Sequence, residues 1–183
     1  MRAVRRMLHK VLRDFGIDRR DFLLVCGLLF NVFTWYFFLQ SLINQIIISN
    51  RITDGLVIWG TFYLSIIVFS IIGAVLSKRF SGFKFLYYWM ALGAIASLSP
   101  VLVNNLTVIH LVVISALFGA SFGLGMPSCL TFFTETTKVE NRGRIGGIIF
   151  LIANLSAPLL AVPVSALSLM AQSVICAVWR GTG

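Results

Sequence analysis

Few side chains in this chain are of a kind that performs chemistry, and their positions limit what that chemistry is. The six carboxylates, Asp14, Asp18, Asp21, Asp54, Glu135 and Glu140, all fall between or at the edges of long apolar stretches, so none supplies a general acid or base at depth. His9 and His110 are far apart in sequence and belong to no metal-binding or triad spacing. Cys26, Cys129 and Cys176 each sit inside an apolar stretch without a second cysteine nearby, and read as inert thiols. No enzyme activity, metal or cofactor is expected from these residues. The informative polar groups are uncharged. Asn31, Thr34, Ser41 and Gln45 fall at offsets of zero, three, ten and fourteen, near a 3.5-residue period, so one helix face holds all four, flanked by Gln40 and Asn44. Amides are costly in lipid and face a bundle interior or a wet cavity. Lining a substrate cavity and bonding between helices are both open readings of this stripe.

The elements that carry these residues are five stretches almost free of charge: Phe22–Ser49, Gly55–Ser77, Phe83–Val103, Leu106–Phe133 and Ile145–Trp179. A membrane-crossing helix needs about 20 predominantly apolar residues, whereas barrel strands would alternate. The chain is therefore expected to be an all-α polytopic membrane bundle of five to six transmembrane helices. Hydrophobic residues make up 58% of the sequence and charged ones 11%, against roughly 25% charged in a soluble domain. The net charge of +9 does not point to nucleic acid, because the cations flank apolar runs and form no patch with base-stacking aromatics.

Those cations set a topology. Arg2, Arg5, Arg6, Lys10, Arg13, Arg19 and Arg20 precede the first stretch, Lys78, Arg79 and Lys84 follow the second, and Lys138, Arg142 and Arg144 follow the fourth. The alternate connectors hold only Arg51 or, at Val103–Thr107, no charge. By the positive-inside rule the N-terminus is cytoplasmic, with the cell membrane as the expected location. The first span is expected to serve as the insertion signal, since no compact apolar segment with a cleavage site precedes it.

Three parts follow: a basic amphipathic segment at 1–21, a helical domain at 22–179 and a short tail at 180–183. In the first part, Met1, Val4, Met7, Leu8, Val11, Leu12 and Phe15 recur at helical spacing opposite the cations. That pattern fits either a helix lying on anionic lipid or a basic tail that only fixes topology. At about 1.5 Å per residue the 35 residues of Ile145–Trp179 would span roughly 52 Å, too long for one straight crossing of about 30 Å. Either two short helices turn near Pro158–Pro163, which would return Arg180 to the cytoplasm, or one tilted helix is followed by an incomplete sixth; six segments are favoured because the charge rule prefers Arg180 inside. Trp35 and Tyr36 lie too deep for an interfacial belt, whereas Tyr87, Tyr88 and Trp89 fit one. Ala116, Gly119, Ala120, Gly123 and Gly125 before Pro127 form a small-residue face suited to close helix packing. The Asn105-Leu106-Thr107 acceptor lies too near the bilayer for glycosylation to be expected.

The order of these features over about residues 22–170 resembles the N-terminal half of a major facilitator superfamily transporter. Gly73-Ala74-Val75-Leu76-Ser77-Lys78-Arg79-Phe80-Ser81-Gly82-Phe83-Lys84 is similar to that family's loop between the second and third spans. Gly119 to Pro127, followed by Glu135 and Glu140-Asn141-Arg142-Gly143, is similar to its glycine-rich fourth helix and the loop beyond. Ser77 stands where the family usually has aspartate, Gly82 comes late, and the fourth-span arginine of many proton-coupled relatives is missing. The resemblance implies transport of a small solute by alternating access. It places Asn31, Thr34, Ser41 and Gln45 on the cavity and Lys78, Arg79, Glu135 and Arg142 in cytoplasmic gating contacts. It also implies a missing second half, supplied by another copy or a separate chain. The Trp179–Gly183 ending directly after an apolar run leads to the expectation of a truncated product. The different class left open is a membrane scaffold or assembly subunit that binds partner helices and moves no solute.

Overall fold

The computed structural model describes residues 19–79, 82–103 and 107–182. The amphipathic pattern of residues 1–16 and the Asn105 acceptor lie outside the described residues. Among the described residues six α-helices follow one another: α1 (Arg19–Ser49), α2 (Gly55–Ser77), α3 (Gly82–Leu98), α4 (Val108–Thr136), α5 (Arg142–Ser165) and α6 (Leu169–Thr182). A 3-10 turn, Ser99–Leu102, extends α3, and another, Val139–Asn141, leads into α5. There is no strand among the described residues. Five of the helical segments are long and apolar enough to cross a bilayer, and the chain is an integral membrane protein with an all-helical bundle.

Local chemistry sets the helix boundaries. At the end of α1, Arg51 adopts a left-handed φ of 49°. Around it the Ile52 amide donates to the Ile47 carbonyl at 3.0 Å and the Arg51 amide to that of Ile48 at 3.2 Å. This is the double bond of a Schellman cap, with arginine where glycine is usual. Helix α4 opens on a capping box in which the Thr107 hydroxyl and the His110 Nδ1 lie 2.8 Å apart. Pro127 sits inside α4, which stays helical through it. Pro158 and Pro163 also lie within α5, and the turn comes later, at residues 166–168, correcting the expected break at the prolines. Prolines are tolerated inside membrane helices when neighbours and side chains satisfy the freed carbonyls. Ser168 marks the new start: its hydroxyl accepts from the Ala171 amide at 3.3 Å, a helix N-cap.

Helices α1 and α4 form the centre. Val32, Trp35, Leu39, Leu42 and Ile43 of α1 and Leu111 and Phe118 of α4 are fully enclosed. Helix α2 packs along α4, α5 along α1, and α3 against both α4 and α6, while α6 also lies on α1. The outer faces of α2 and α5, with Leu64, Ile67, Ile71, Leu155 and Leu159, are exposed and apolar, as lipid contact requires.

The α2–α4 seam depends on absent side chains. A Cβ at Gly119 would strike the Phe62 carbonyl, one at Gly123 would lie 2.6 Å from the Ile66 carbonyl, and one at Gly73 would strike the Leu124 backbone. Backbones approach this closely only where small residues face each other, and dispersion between them then supplies the association that lipid does not.

Candidate functional site

The sequence places no aspartate, glutamate, lysine or arginine well inside an apolar stretch, yet the bundle encloses one such group. The turn at 166–168 sends α6 back along α1 and α3, and its Ser173, Cys176 and Arg180, spaced on one helical face, are all buried. Arg180 is 0% exposed. This corrects the cytoplasmic placement expected from charge alone, and residues 180–182, separated on composition as a tail, continue α6. The positive-inside rule weighs charges flanking spans; it carries no information on a cation that protein side chains surround.

Two indoles hold the guanidinium. Its carbon lies 3.8 Å from the centroid of the Trp89 ring and 4.6 Å from that of Trp35. Cation–π attraction of this kind reaches about 2 kcal/mol when desolvated. Each indole is itself fixed: Trp35 Nε1 donates to the Ser97 hydroxyl at 2.9 Å, and Trp89 Nε1 donates to the Ser121 carbonyl. The Trp89 ring occupies the space that a side chain at Gly125 would fill. Trp89 therefore does not belong to an interfacial belt with Tyr87 and Tyr88, which remain exposed; it is almost wholly buried.

Asn31 completes the surround. Its Oδ1 accepts from Arg180 Nη1 at 3.4 Å, its Nδ2 donates to the Trp179 carbonyl at 2.6 Å, and its own carbonyl accepts from Trp179 Nε1 at 3.3 Å. Arg180 Nε and Nη2 remain buried without a hydrogen-bond partner, and no carboxylate accepts from the guanidinium among the described residues. An unpaired buried ion carries a desolvation penalty of several kcal/mol, more than two rings and one long hydrogen bond offset. Asn31, Trp35, Trp89 and Gly93 all fall near the middles of their helices, so the cation sits at mid-height in the bundle. An ionisable side chain there marks a functional site by default.

The rest of the polar stripe is spread along α1. Thr34 is fully buried with its hydroxyl unpartnered, Ser41 is half-buried, and Gln45 Nε2 reaches the Leu167 carbonyl at 3.4 Å. Gln172 Nε2 of α6 donates to the same carbonyl at 2.9 Å, so the Leu167 carbonyl is shared by an amide within the turn and one from α1. Gln40 belongs to a separate group. Its Nε2 donates to the hydroxyls of Tyr36 at 2.9 Å and Tyr63 at 3.0 Å, joining α1 to α2 on an open face.

At the other end of α2 and α4, a cavity of about 540 Å³ is lined by Lys78, Glu135, Ser128, Thr131 and Leu86 among others. Lys78 and Glu135 thus share one space, which Arg79 does not line. Arg142 is engaged elsewhere: its Nε donates to the Thr137 carbonyl at 3.2 Å and its Nη2 to that of Thr134, closing the C-terminus of α4. A cation there satisfies orphan carbonyls and complements the helix dipole. Gly119 and Gly123 face α2, and Pro127 lines the cavity.

Trp179 and Arg180 were invisible to sequence reasoning because they close an apolar run and look like its boundary. The available signal was the excess length of Ile145–Trp179, which forces a return into the bundle. No protein-family model, curated protein or solved structure matches this chain.

Proposed function

We propose that the chain is one half of a secondary transporter of the major facilitator type, moving a small solute by alternating access once a second half faces it. The observation that carries this reading is the exchange symmetry of the principal helix contacts. Helix α2 packs on α4 as α5 packs on α1, and α3 meets α4 as α6 meets α1. The α1–α4 and α3–α6 pairs map onto themselves. Shifting each helix by three leaves these pairings unchanged, and helices three crossings apart run in opposite directions. That is the pattern of an inverted three-plus-three repeat, the unit nested within each half of such transporters.

On this reading the N-terminus is cytoplasmic, the Lys78–Glu135 cavity lies at the cytoplasmic end, and a second copy or separate chain supplies the facing wall. The Tyr36–Gln40–Tyr63 group is open and polar, suited to the side that such a half would face. Asn31 and Gln45 engage α6, so solute contact with them requires α6 to move. The test is counterflow uptake into vesicles reconstituted with the full chain, using panels of labelled sugars, amino acids and organic acids. Flux above protein-free vesicles, reduced by Gln40→Ala with insertion unchanged, supports the proposal. Absence of flux for every class from correctly inserted, dimeric protein would sink it.

A second reading, a scaffold subunit that binds partner helices, draws support from one feature: Asn31 and Gln45 are bonded to protein, as a purely structural stripe would be. Flux distinguishes the two.

A further inference from the structure

We propose that the Arg180 guanidinium binds the carboxylate of a small organic anion, an inference that rests on the transporter reading and names the solute class its bundle recognises. Arginine presents donors in a planar fork, and Nε with Nη2 forms the edge that takes both oxygens of one carboxylate. Trp35 and Trp89 lie near the guanidinium, and Nη1 faces Asn31. The two unpartnered atoms are Nε and Nη2, the two donors of that edge.

Further donors lie along the same helices. The Thr34 hydroxyl, one turn from Asn31, and the Ser173 hydroxyl, on the inward face of α6, are buried and unpartnered. Gly93 admits the Arg180 side chain against α3, since a Cβ there would lie 2.8 Å from Nε. The indoles and Cys176 make the surroundings apolar, which favours an organic anion over a strongly hydrated inorganic one. The cavity between α2, α3 and α4 ends on Leu86 and Ser128, one turn from Trp89 on α3 and adjacent in sequence to Cys129 on α4. Arg180 is fully enclosed, so on this proposal the packing around Trp89 has to open before an anion reaches Nε and Nη2.

The full chain in lipid nanodiscs is titrated with hexanoate, with its uncharged analogue hexanamide and with inorganic phosphate, reading tryptophan fluorescence from the rings beside Arg180. A saturable response to hexanoate alone is expected. Arg180→Lys keeps the charge and loses the fork, so its hexanoate affinity should fall about tenfold or more. Asn31→Asp puts a resident carboxylate beside Nη1 and should abolish the response in folded protein. A response shared by hexanamide, one as tight with phosphate, one unchanged in both variants, or no response overturns the proposal. The titration requires neither flux nor a second half. Vesicles of correctly inserted, dimeric protein that bind hexanoate but move no solute of any class would therefore remove the transporter reading and leave the site.

Discussion

Arg180 and Asn31 stand 149 positions apart in the chain, yet Nη1 of the one lies 3.4 Å from Oδ1 of the other. This contact closes α6 onto α1 and leaves the opposite edge of a buried cation without an acceptor. A cation kept in this state is unfavourable for folding and useful for recognition, and the two effects separate on substitution.

Arg180→Met removes the unpaired charge and keeps much of the volume between the indoles. Replacing buried ionic groups with apolar ones of similar size is often neutral or stabilising, by about 1–4 kcal/mol. The variant is expected to melt at or above the wild-type temperature in detergent, measured by differential scanning fluorimetry. A marked fall would show that the cation–π contacts outweigh desolvation.

Gly119→Ala places a methyl group against the Phe62 carbonyl, where only a backbone shift relieves the collision. A destabilisation of about 1–3 kcal/mol is expected. Gly60, with open space around its Cβ position, serves as the control: Gly60→Ala should be neutral or slightly stabilising. Equal effects at both sites would rule out the seam as a determinant of stability.

Trp35 and Ser97 join α1 to α3 by one buried hydrogen bond of 2.9 Å. A double-mutant cycle of Trp35→Phe and Ser97→Ala should show a coupling of about 1 kcal/mol. Additive effects would mean that the indole is held by packing alone.

At the end of α1, Arg51→Gly is expected to stabilise the protein by about 1 kcal/mol, because glycine adopts the left-handed φ without the Cβ clash. Denaturant titration in mixed micelles reads this directly. A loss of stability would assign Arg51 a compensating contact with lipid headgroups.

Single-cysteine variants test the orientation. With the three native cysteines replaced, Lys78→Cys and Glu140→Cys should react with an impermeant maleimide from one side of sealed vesicles, and Asp54→Cys from the other. Labelling of the first two from opposite sides would dismantle both the topology and the transporter proposal.

The helices themselves were legible in the sequence. Gly55–Ser77 has the boundaries that composition gave it, and Phe22–Ser49 is extended by one turn. In lipid every backbone group must bond within its own segment, so apolar length alone nearly fixes a helix. The glycines of α4 marked a close-packing face, since few residues other than glycine permit it. The site was not legible in the same way. Trp89 looked interfacial because its neighbours Tyr87 and Tyr88 are exposed, and a one-residue step on a helix turns a side chain by about 100°.

What the sequence by itself determined is the number and nature of the long spans, because hydrocarbon leaves the backbone almost no choice. Only the tertiary structure decided that α6 turns back after residue 168 and carries Arg180 between Trp35 and Trp89. Burial of a charge depends on which helices surround it, and helix–helix contact in a bilayer is set by the fit of side chains far apart in the chain.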